Sequence, residues 1–289
     1  MGKGRHVVQV HVKYKIMSLL PRTHTEFQVK EYWDNFFSKR SKAFEWYGEY
    51  VDLCHVLHKY LKSSSRILVV GCGNSKLSEE LYDAGFQSID NIDISDVVIR
   101  QMLSRNKQKR PTMTFTKMDL LHMTYSDAHF DCVLDKGTLD AIFSNTDDNT
   151  VESVDKMFAE IERVLKVAGR YLCITLAQDH ILKKLLEKFE FGWLLRVHKV
   201  LLGDEESGSG MGGALPVFAF VLTKMARVEG RPLMKVHICT CILYYQVVSI
   251  KNACLFRCCT LALNMYNVHV CFPCSVPLHS ITLCRCMSM

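Results

Sequence analysis

The sequence lacks any long apolar run, since none reaches the roughly 18 residues that a membrane-spanning helix needs. The N terminus has no apolar segment of the kind found in secretory signals. The Met-Gly start has His6 where myristoylation favours Ser or Thr. We therefore expect a soluble, cytoplasmic protein with no membrane partner.

Cysteine is scarce over residues 17–226, and the four that occur there, Cys54, Cys72, Cys132 and Cys173, imply no disulfide framework. Excess positive charge is also missing from this part. The basic residues cluster in 1–16 and 227–289, which leaves the middle with 26 basic and 29 acidic side chains. A net charge of −3 is not typical of a nucleic-acid surface, so we expect no direct nucleic-acid binding.

Two phosphate-binding motifs are absent. The run Gly71-Cys72-Gly73 follows an apolar strand, but Lys76 stands where a dinucleotide site has its third glycine. No G-x-x-x-x-G-K-[ST] run is present to bind a triphosphate. The glycines permit a tight turn and a close approach to a ligand, and Asp93 after the next strand can accept hydrogen bonds from both ribose hydroxyls. This pattern fits S-adenosylmethionine, which has a ribose and no phosphate. A purely structural turn is the alternative.

Strand and helix patterns alternate through the middle of the chain, as a parallel sheet with helical crossovers requires. Ser95 is placed to cap the second helix, Gly169 is expected in a turn before the fifth strand, and residues 203–213 form a polar, glycine-rich loop. The predicted strands are Ile67–Val70, Ser88–Ile92, Met113–Lys117, Phe130–Leu134, Tyr171–Leu176, Trp193–Val200 and Val217–Thr223, and the predicted helices are Ser75–Ala84, Ser95–Lys107, Thr150–Lys166 and His180–Phe191. We therefore predict an α/β, Rossmann-like, seven-stranded sheet.

Charged residues follow the third and fourth strands, where ligands of open α/β sheets bind. Asp119 could accept a hydrogen bond from an adenine amino group while Leu120 packs near the base. Asp135 or Lys136 could hold the methionine portion of a cofactor, and Asp140 could orient an incoming amine. Ordinary surface acids and a salt-bridged loop are the alternatives.

Aromatic residues precede the sheet, with two of the three tryptophans at Trp33 and Trp46. Such a wall suits a sulfonium cation, although simple core packing is an equal alternative for Tyr32 and Phe36. Farther on, a group of acids could attract a basic acceptor or only favour a helix N terminus through its dipole; the group comprises Asp147, Asp148, Glu152 and Asp155.

The run Val70-Gly71-Cys72-Gly73-Asn74-Ser75 together with Leu134-Asp135-Lys136-Gly137-Thr138-Leu139-Asp140 resembles the methyltransferase-like enzymes that modify lysines of translation elongation factor 1-alpha. The resemblance covers residues 17 to about 224. Leu20-Pro21-Arg22-Thr23 and Arg170-Tyr171-Leu172-Cys173-Ile174 are most similar to the N-terminal half of members that also methylate a protein N terminus. A second half is absent here, so we expect that second activity to be missing.

The resemblance implies an S-adenosylmethionine-dependent protein-lysine N-methyltransferase that acts on elongation factor 1-alpha. The cofactor contacts that it implies are Trp33, Phe37, Trp46, Gly71, Asp93, Ile94, Asp119, Leu120 and Lys136. Phe37 stands where some relatives have Tyr. Asp135 and Asp140 are the candidate bases, and no metal is expected. The alternatives are a truncated, non-catalytic product that retains binding, and a small-molecule methyltransferase or aminopropyl transferase.

The two ends of the chain fit neither the family nor a known fold. We predict an appended extension at 1–16, a methyltransferase domain at 17–226 and a divergent, cysteine-rich tail without stable fold at 227–289. A zinc module in the tail is the alternative, but Cys271 and Cys274 form its only C-x-x-C pair.

Overall fold

The computed structural model describes residues 21, 23–40, 42–190, 193–200 and 216–226, together with the strand backbone at 258–263 and 268–273. The chain divides into two units, Met1–Leu233 and Met234–Met289. No helix in these described ranges is both long and apolar enough to span a membrane.

The first unit is built on a seven-stranded mixed sheet with strand order β3-β2-β1-β4-β5-β7-β6. The parallel part comprises β1 to β5, and β7 runs antiparallel to both β5 and β6. The strands are β1 (Ile67–Val70), β2 (Ile89–Asp93), β3 (Thr114–Lys117), β4 (Phe130–Lys136), β5 (Leu165–Thr175), β6 (Trp193–Val200) and β7 (Val217–Lys224). The predicted Rossmann-like sheet is confirmed.

Seven α-helices are described, preceded by a 3-10 helix at His24–Gln28. They are α1 (Lys30–Ser38), α2 (Tyr50–Tyr60), α3 (Leu77–Asp83), α4 (Asp96–Asn106), α5 (Thr138–Ile142), α6 (Asp148–Val164) and α7 (Asp179–Glu190). Ser95 caps α4 as predicted, because its side chain accepts a hydrogen bond from the Val98 amide.

Apolar periodicity explains how these elements pack. All four residues of β1 are buried, as expected for a central parallel strand covered on both faces. The predicted stripe of α6 is buried at Val154, Met157, Phe158 and Ile161. Because β1 to β5 run parallel, their carboxyl ends lie at one edge of the sheet.

The boundary between α6 and β5 differs from the prediction. β5 begins at Leu165, directly after the helix, so Gly169 lies in the strand rather than in a turn. The pairing with β4 shifts register between Phe130 and Cys132, and Ala168 adopts a φ of 63°. A Cβ on Gly169 would lie 2.7 Å from the Lys166 carbonyl oxygen, so the irregular segment needs glycine there. Leu165 is buried as predicted, but as the first residue of β5 rather than as part of the helix.

In the second unit, strands β8 (Cys258–Leu263) and β9 (Val268–Pro273) pair antiparallel. The rest of the predicted tail, the extension at 1–16, the loop at 203–213 and Cys274 of the C-x-x-C pair lie outside the described residues. The predicted domain boundaries and the zinc alternative therefore stay predictions.

Candidate functional site

A cavity of about 550 Å³ lies at the carboxyl ends of β1, β2 and β4, within the size range of small-molecule sites. Its wall combines the glycine turn after β1, the ends of β2 and β3, and the aromatic segment before the sheet. Of the residues predicted to contact a cofactor, those on the wall are Trp33, Phe37, Trp46, Gly71, Gly73, Asp93, Ile94, Asp119, Leu120 and Lys136. The structure brings these ten together, and their contact with a cofactor stays a prediction.

The glycine turn has a conformation that other residues rarely adopt. Gly71 and Gly73 have φ angles of +56° and +53°. A Cβ on Gly71 would also collide with the side chain of Thr138, whereas one on Gly73 would only touch the Phe37 ring at 3.5 Å. Gly71 is thus required both by its backbone angle and by the close approach of α5.

Asp93 connects this turn to the start of α4. Its Oδ2 accepts a hydrogen bond from the Gly73 amide at 2.9 Å, and its Oδ1 accepts one from the Ser95 amide at 2.9 Å. Burial raises the pKa of Asp93 to about 6, although the backbone donors oppose this shift. A carboxylate offers about four lone-pair sites, so Asp93 keeps acceptor capacity beyond its backbone donors for a hydroxyl in the cavity.

The aromatic wall serves both the cavity and the core. Trp33 stacks on Phe37 with ring centroids 5.9 Å apart, and its indole donates to the Phe27 carbonyl oxygen at 2.8 Å. Phe36 lies behind this layer, is 3% exposed and stacks on Trp46. The packing alternative therefore describes Phe36, while Trp33, Phe37 and Trp46 face the cavity.

Lys136 is a buried cation at the end of β4. Its Nζ donates to Oε2 of Glu45 at 2.9 Å and to the Trp46 carbonyl oxygen at 2.8 Å. Burial lowers the pKa of Lys136, and the Glu45 carboxylate partly opposes this shift. One of the three ammonium donors is left for a group in the cavity.

The side chain of Gln28 bonds the 3-10 helix to the residues around the connection between α5 and α6. Gln28 shares its two amide hydrogens among the Ile142 carbonyl oxygen at 3.0 Å, Ser144 Oγ at 3.1 Å and Thr150 Oγ1 at 3.0 Å. His24, Phe27 and Gln28 all line the cavity. The 3-10 helix and the α5–α6 connection therefore build one wall together.

Comparison with protein families identifies this arrangement. A family model described as a methyltransferase domain matches residues 61–205, about half of the chain. The chain belongs to this methyltransferase family.

Curated relatives of the methyltransferase domain extend this result. The eEF1A lysine and N-terminal methyltransferase of Mus musculus is 53% identical over 227 residues, which are 78% of this chain and 32% of that protein. The EEF1A lysine methyltransferase 4 of Bos taurus is 34% identical over 185 residues, which are 61% of this chain and 72% of that protein. The chain thus spans about a third of the length of the first relative.

Among solved structures, the cyclase SpnF shares the fold with a TM-score of 0.50 at 16% identity, and the match covers 70% of this chain and 97% of that one. Since that protein is a cyclase, the fold alone does not fix the reaction.

Asp135 corrects one expectation for the methyltransferase domain, since its side chain does not line the cavity. It is fully buried, and it accepts hydrogen bonds from the amides of Thr138 at 2.8 Å and Leu139 at 3.1 Å and from the Tyr171 hydroxyl at 2.7 Å. Burial raises its pKa to about 7. Asp135 therefore anchors the first turn of α5. Lys136, the next residue, lines the cavity, and the sequence did not indicate that the two side chains differ in this way.

Most of the predicted acidic group near α6 has structural partners. Asp147 caps the helix by accepting from the Thr150 amide at 2.8 Å. Glu152 pairs with Lys156, and Asp155 pairs with Lys184. Asp147 thus fits the helix-terminus interpretation, whereas Glu152 and Asp155, which lie further along α6, are paired with lysines of the domain.

Two residues of the methyltransferase domain were missed from the sequence. Glu45 joins Lys136, Ser75 Oγ at 2.6 Å and the Lys76 amide at 2.6 Å, but it does not itself line the cavity. Tyr47 lines the cavity with a φ of 59°. In the sequence, only the following Gly48 indicated an unusual turn at Tyr47. No spacing rule connected Tyr47 with Gly137.

Proposed function

We propose that this domain transfers methyl groups from S-adenosylmethionine to a lysine of translation elongation factor 1-alpha. The observation that carries the proposal is the meeting, in one cavity, of the Gly71–Gly73 turn and Asp93 with Lys136 and Asp140. The relatives named for elongation-factor lysine methylation support the choice of substrate.

The polar groups of the cavity match the parts of S-adenosylmethionine. Asp93 has acceptor capacity left for the ribose, and Lys136 has one donor left for the carboxylate of the methionine portion. Asp119 and Leu120 line the end of β3, where they would hold the adenine. When bound, this cofactor supplies an electrophilic methyl group on a sulfonium cation, which aromatic rings such as Trp33 and Phe37 stabilise.

The residues of the domain would contribute alignment and desolvation. Methyl transfer needs an uncharged amine in line with the methyl group, and fixed side chains supply this orientation. A lysine has a pKa of about 10.4 in water, so the site must favour its neutral form. Removal of the amine from water as it enters the cavity would favour that form.

The direct test incubates the chain with methyl-labelled S-adenosylmethionine and recombinant elongation factor 1-alpha, and maps the label by mass spectrometry. We expect label on lysine with the wild type and with the control Asp127→Asn, which changes an exposed acid before the amino end of β4, at the opposite edge of the sheet from the cavity. Asp93→Ala is expected to lose both cofactor binding and label. Cofactor binding without transfer would favour the non-catalytic alternative, and label on small molecules alone would contradict a protein substrate.

Two further points concern the location of the protein and the number of methyl groups that it adds. We expect a cytoplasmic location, which cell fractionation tests. The number of methyl groups added follows from the masses of the labelled peptides in the same experiment.

A further inference from the structure

The ring of Tyr47 lies against Gly137, and Tyr47 adopts a backbone conformation that ordinary packing does not require. Its φ of 59° is rare for a residue with a bulky side chain, and such strain is concentrated at functional sites. A Cβ on Gly137 would lie 2.9 Å from Cε2 of Tyr47, so the ring occupies space that only glycine leaves open. Both residues line the cavity.

Asp140 lies beside Tyr47, and one of its two carboxylate oxygens has unused acceptor capacity. Its Oδ1 accepts from Thr175 Oγ1 at 3.0 Å and from the Leu176 amide at 3.3 Å. Its Oδ2 is shielded from solvent and makes no well-aligned hydrogen bond with any described residue. The Tyr47 hydroxyl is close enough to help lower the pKa of Asp140, which burial raises, but this contact leaves Oδ2 with unused acceptor capacity.

A buried acceptor without a donor is costly, and native structures rarely keep one without a reason. A donor on a bound ligand can use this remaining capacity, because Asp140 lines the wall of the cavity. Asp135, the other candidate base, has no such capacity toward the cavity, since its carboxylate is already bonded to α5 and Tyr171.

On the basis of the proposed function, we infer that Asp140 Oδ2 and Tyr47 form the subsite for the acceptor amine. Asp140 accepts a hydrogen bond from an N–H of the amine and thereby orients the nitrogen lone pair away from itself. In the transfer the nitrogen–carbon bond forms, the sulfur–carbon bond breaks and its electron pair stays on sulfur. The nitrogen gains positive charge, which the Asp140 carboxylate and the face of Tyr47 stabilise, and it then releases one proton to solvent.

The test measures recognition of the amine without turnover. Two cofactor analogues carry a tertiary amine in place of the sulfonium; one bears a four-carbon chain ending in an amino group, and the other bears an equally long chain ending in methyl. Titration calorimetry gives the Kd of each analogue, and of S-adenosylhomocysteine, for the wild type, Asp140→Asn, Tyr47→Phe and the control Asp127→Asn, an exposed acid that does not line the cavity.

We expect the wild type and the control to prefer the amino analogue by on the order of ten- to a hundredfold, as a charge-assisted hydrogen bond provides. In Asp140→Asn this preference should fall at least about fivefold, while S-adenosylhomocysteine binds as in the wild type. Tyr47→Phe should show a smaller loss. An unchanged preference in Asp140→Asn, or no preference in the wild type, would overturn the subsite.

A measurement on the wild type covers the case in which Asp140→Asn does not fold. We expect an intermolecular nuclear Overhauser effect between the last methylene of the bound amino analogue and the Tyr47 ring protons, and its absence would overturn the placement. Failure of the proposed function gives a different result from failure of the subsite. In that case the wild type prefers the amino analogue although it does not methylate elongation factor 1-alpha. Methylation without amine preference would refute the subsite alone.

Discussion

The ammonium of Lys136 lies 2.9 Å from Oε2 of Glu45, with both side chains largely removed from solvent. Through the same carboxylate, Glu45 also accepts from Ser75 and from the Lys76 amide at the start of α3. One acid therefore connects the aromatic segment, the glycine turn and the end of β4. This ion pair organises the part of the cavity where we place the methionine portion of the cofactor.

We predict that breaking this pair from either side is strongly destabilising. Glu45→Gln or Lys136→Met should lower the free energy of unfolding by about 3–5 kcal/mol, because each leaves a buried charge without its counter-ion. The double variant should lose less than the sum of the single variants. Urea denaturation of all four proteins measures this coupling.

The exposed pair Glu152–Lys156 supplies the control for this cycle. Its corresponding variants, Glu152→Gln and Lys156→Met, should be indistinguishable from the wild type. Equal effects at the two pairs would show that burial of the Glu45–Lys136 pair is not what makes it important.

The pKa of Asp93, raised to about 6 by burial, predicts a pH dependence of cofactor binding. Ribose hydroxyls favour the ionised carboxylate, so the affinity for S-adenosylhomocysteine should increase roughly tenfold between pH 5 and pH 7. Asp93→Asn should bind weakly with a flat profile over this range. Calorimetric titration at several pH values measures both.

The stability of the unliganded protein should respond to the same group with the opposite sign. Because the pKa of Asp93 is higher in the folded than in the unfolded state, its contribution to stability is greatest below about pH 4 and is lost as the pH rises through about 6. Urea denaturation of the unliganded wild type and Asp93→Asn at pH 4 and pH 7 measures this contribution, and a difference in unfolding free energy between the two proteins that is the same at both pH values would contradict it.

Gly71→Ala should be more harmful than Gly85→Ala. Both glycines have positive φ angles, so each substitution introduces backbone strain of about 1–3 kcal/mol. Only at Gly71 does the new Cβ meet Thr138; at Gly85 nothing lies within 4 Å. We expect an additional loss of about 1–3 kcal/mol and much weaker cofactor binding for Gly71→Ala alone, measured by denaturation and titration. Equal losses would show that the contact with Thr138 is readily relieved.

Tyr171→Phe should destabilise the protein by about 1–3 kcal/mol, because it removes a buried hydrogen bond to the Asp135 carboxylate. The change preserves the ring that packs on Phe158. Tyr82→Phe, which alters a hydroxyl near the surface that accepts from Thr112, is the control and should change stability by less than about 0.5 kcal/mol. Guanidinium unfolding compares the two, and a neutral Tyr171→Phe would mean that Asp135 finds another donor.

Much of the fold was predictable because its signals are local. The apolar run Ile67–Val70, the Ser95 cap and the buried stripe of α6 each follow from neighbouring residues, and the structure agrees with them. The start of β5 was mistaken because Leu165 continues the helical apolar period while already pairing with Phe130. Hydrogen bonding across the sheet outweighed the periodicity there.

The candidate site was less predictable because its contacts join distant parts of the chain. Glu45 and Lys136 are 91 residues apart, and no spacing rule connects them. Asp135 and Asp140 were equivalent as acids in one run, and only the direction of each carboxylate separates the anchor of α5 from a group on the cavity wall. The glycine turn and Asp93 were found because that pairing occurs within one βαβ unit.

The bonds of Gln28 also bear on the order in which the protein is made. Its three acceptors lie 114 to 122 residues later in the chain. During synthesis the 3-10 helix leaves the ribosome early and can bond Trp33, but the acceptors of Gln28 become available only when residues 142 to 150 have been made. The 3-10 helix is therefore translated early but reaches its last hydrogen bonds late. A nascent chain cannot complete this wall of the cavity before β1 to β4 have been made.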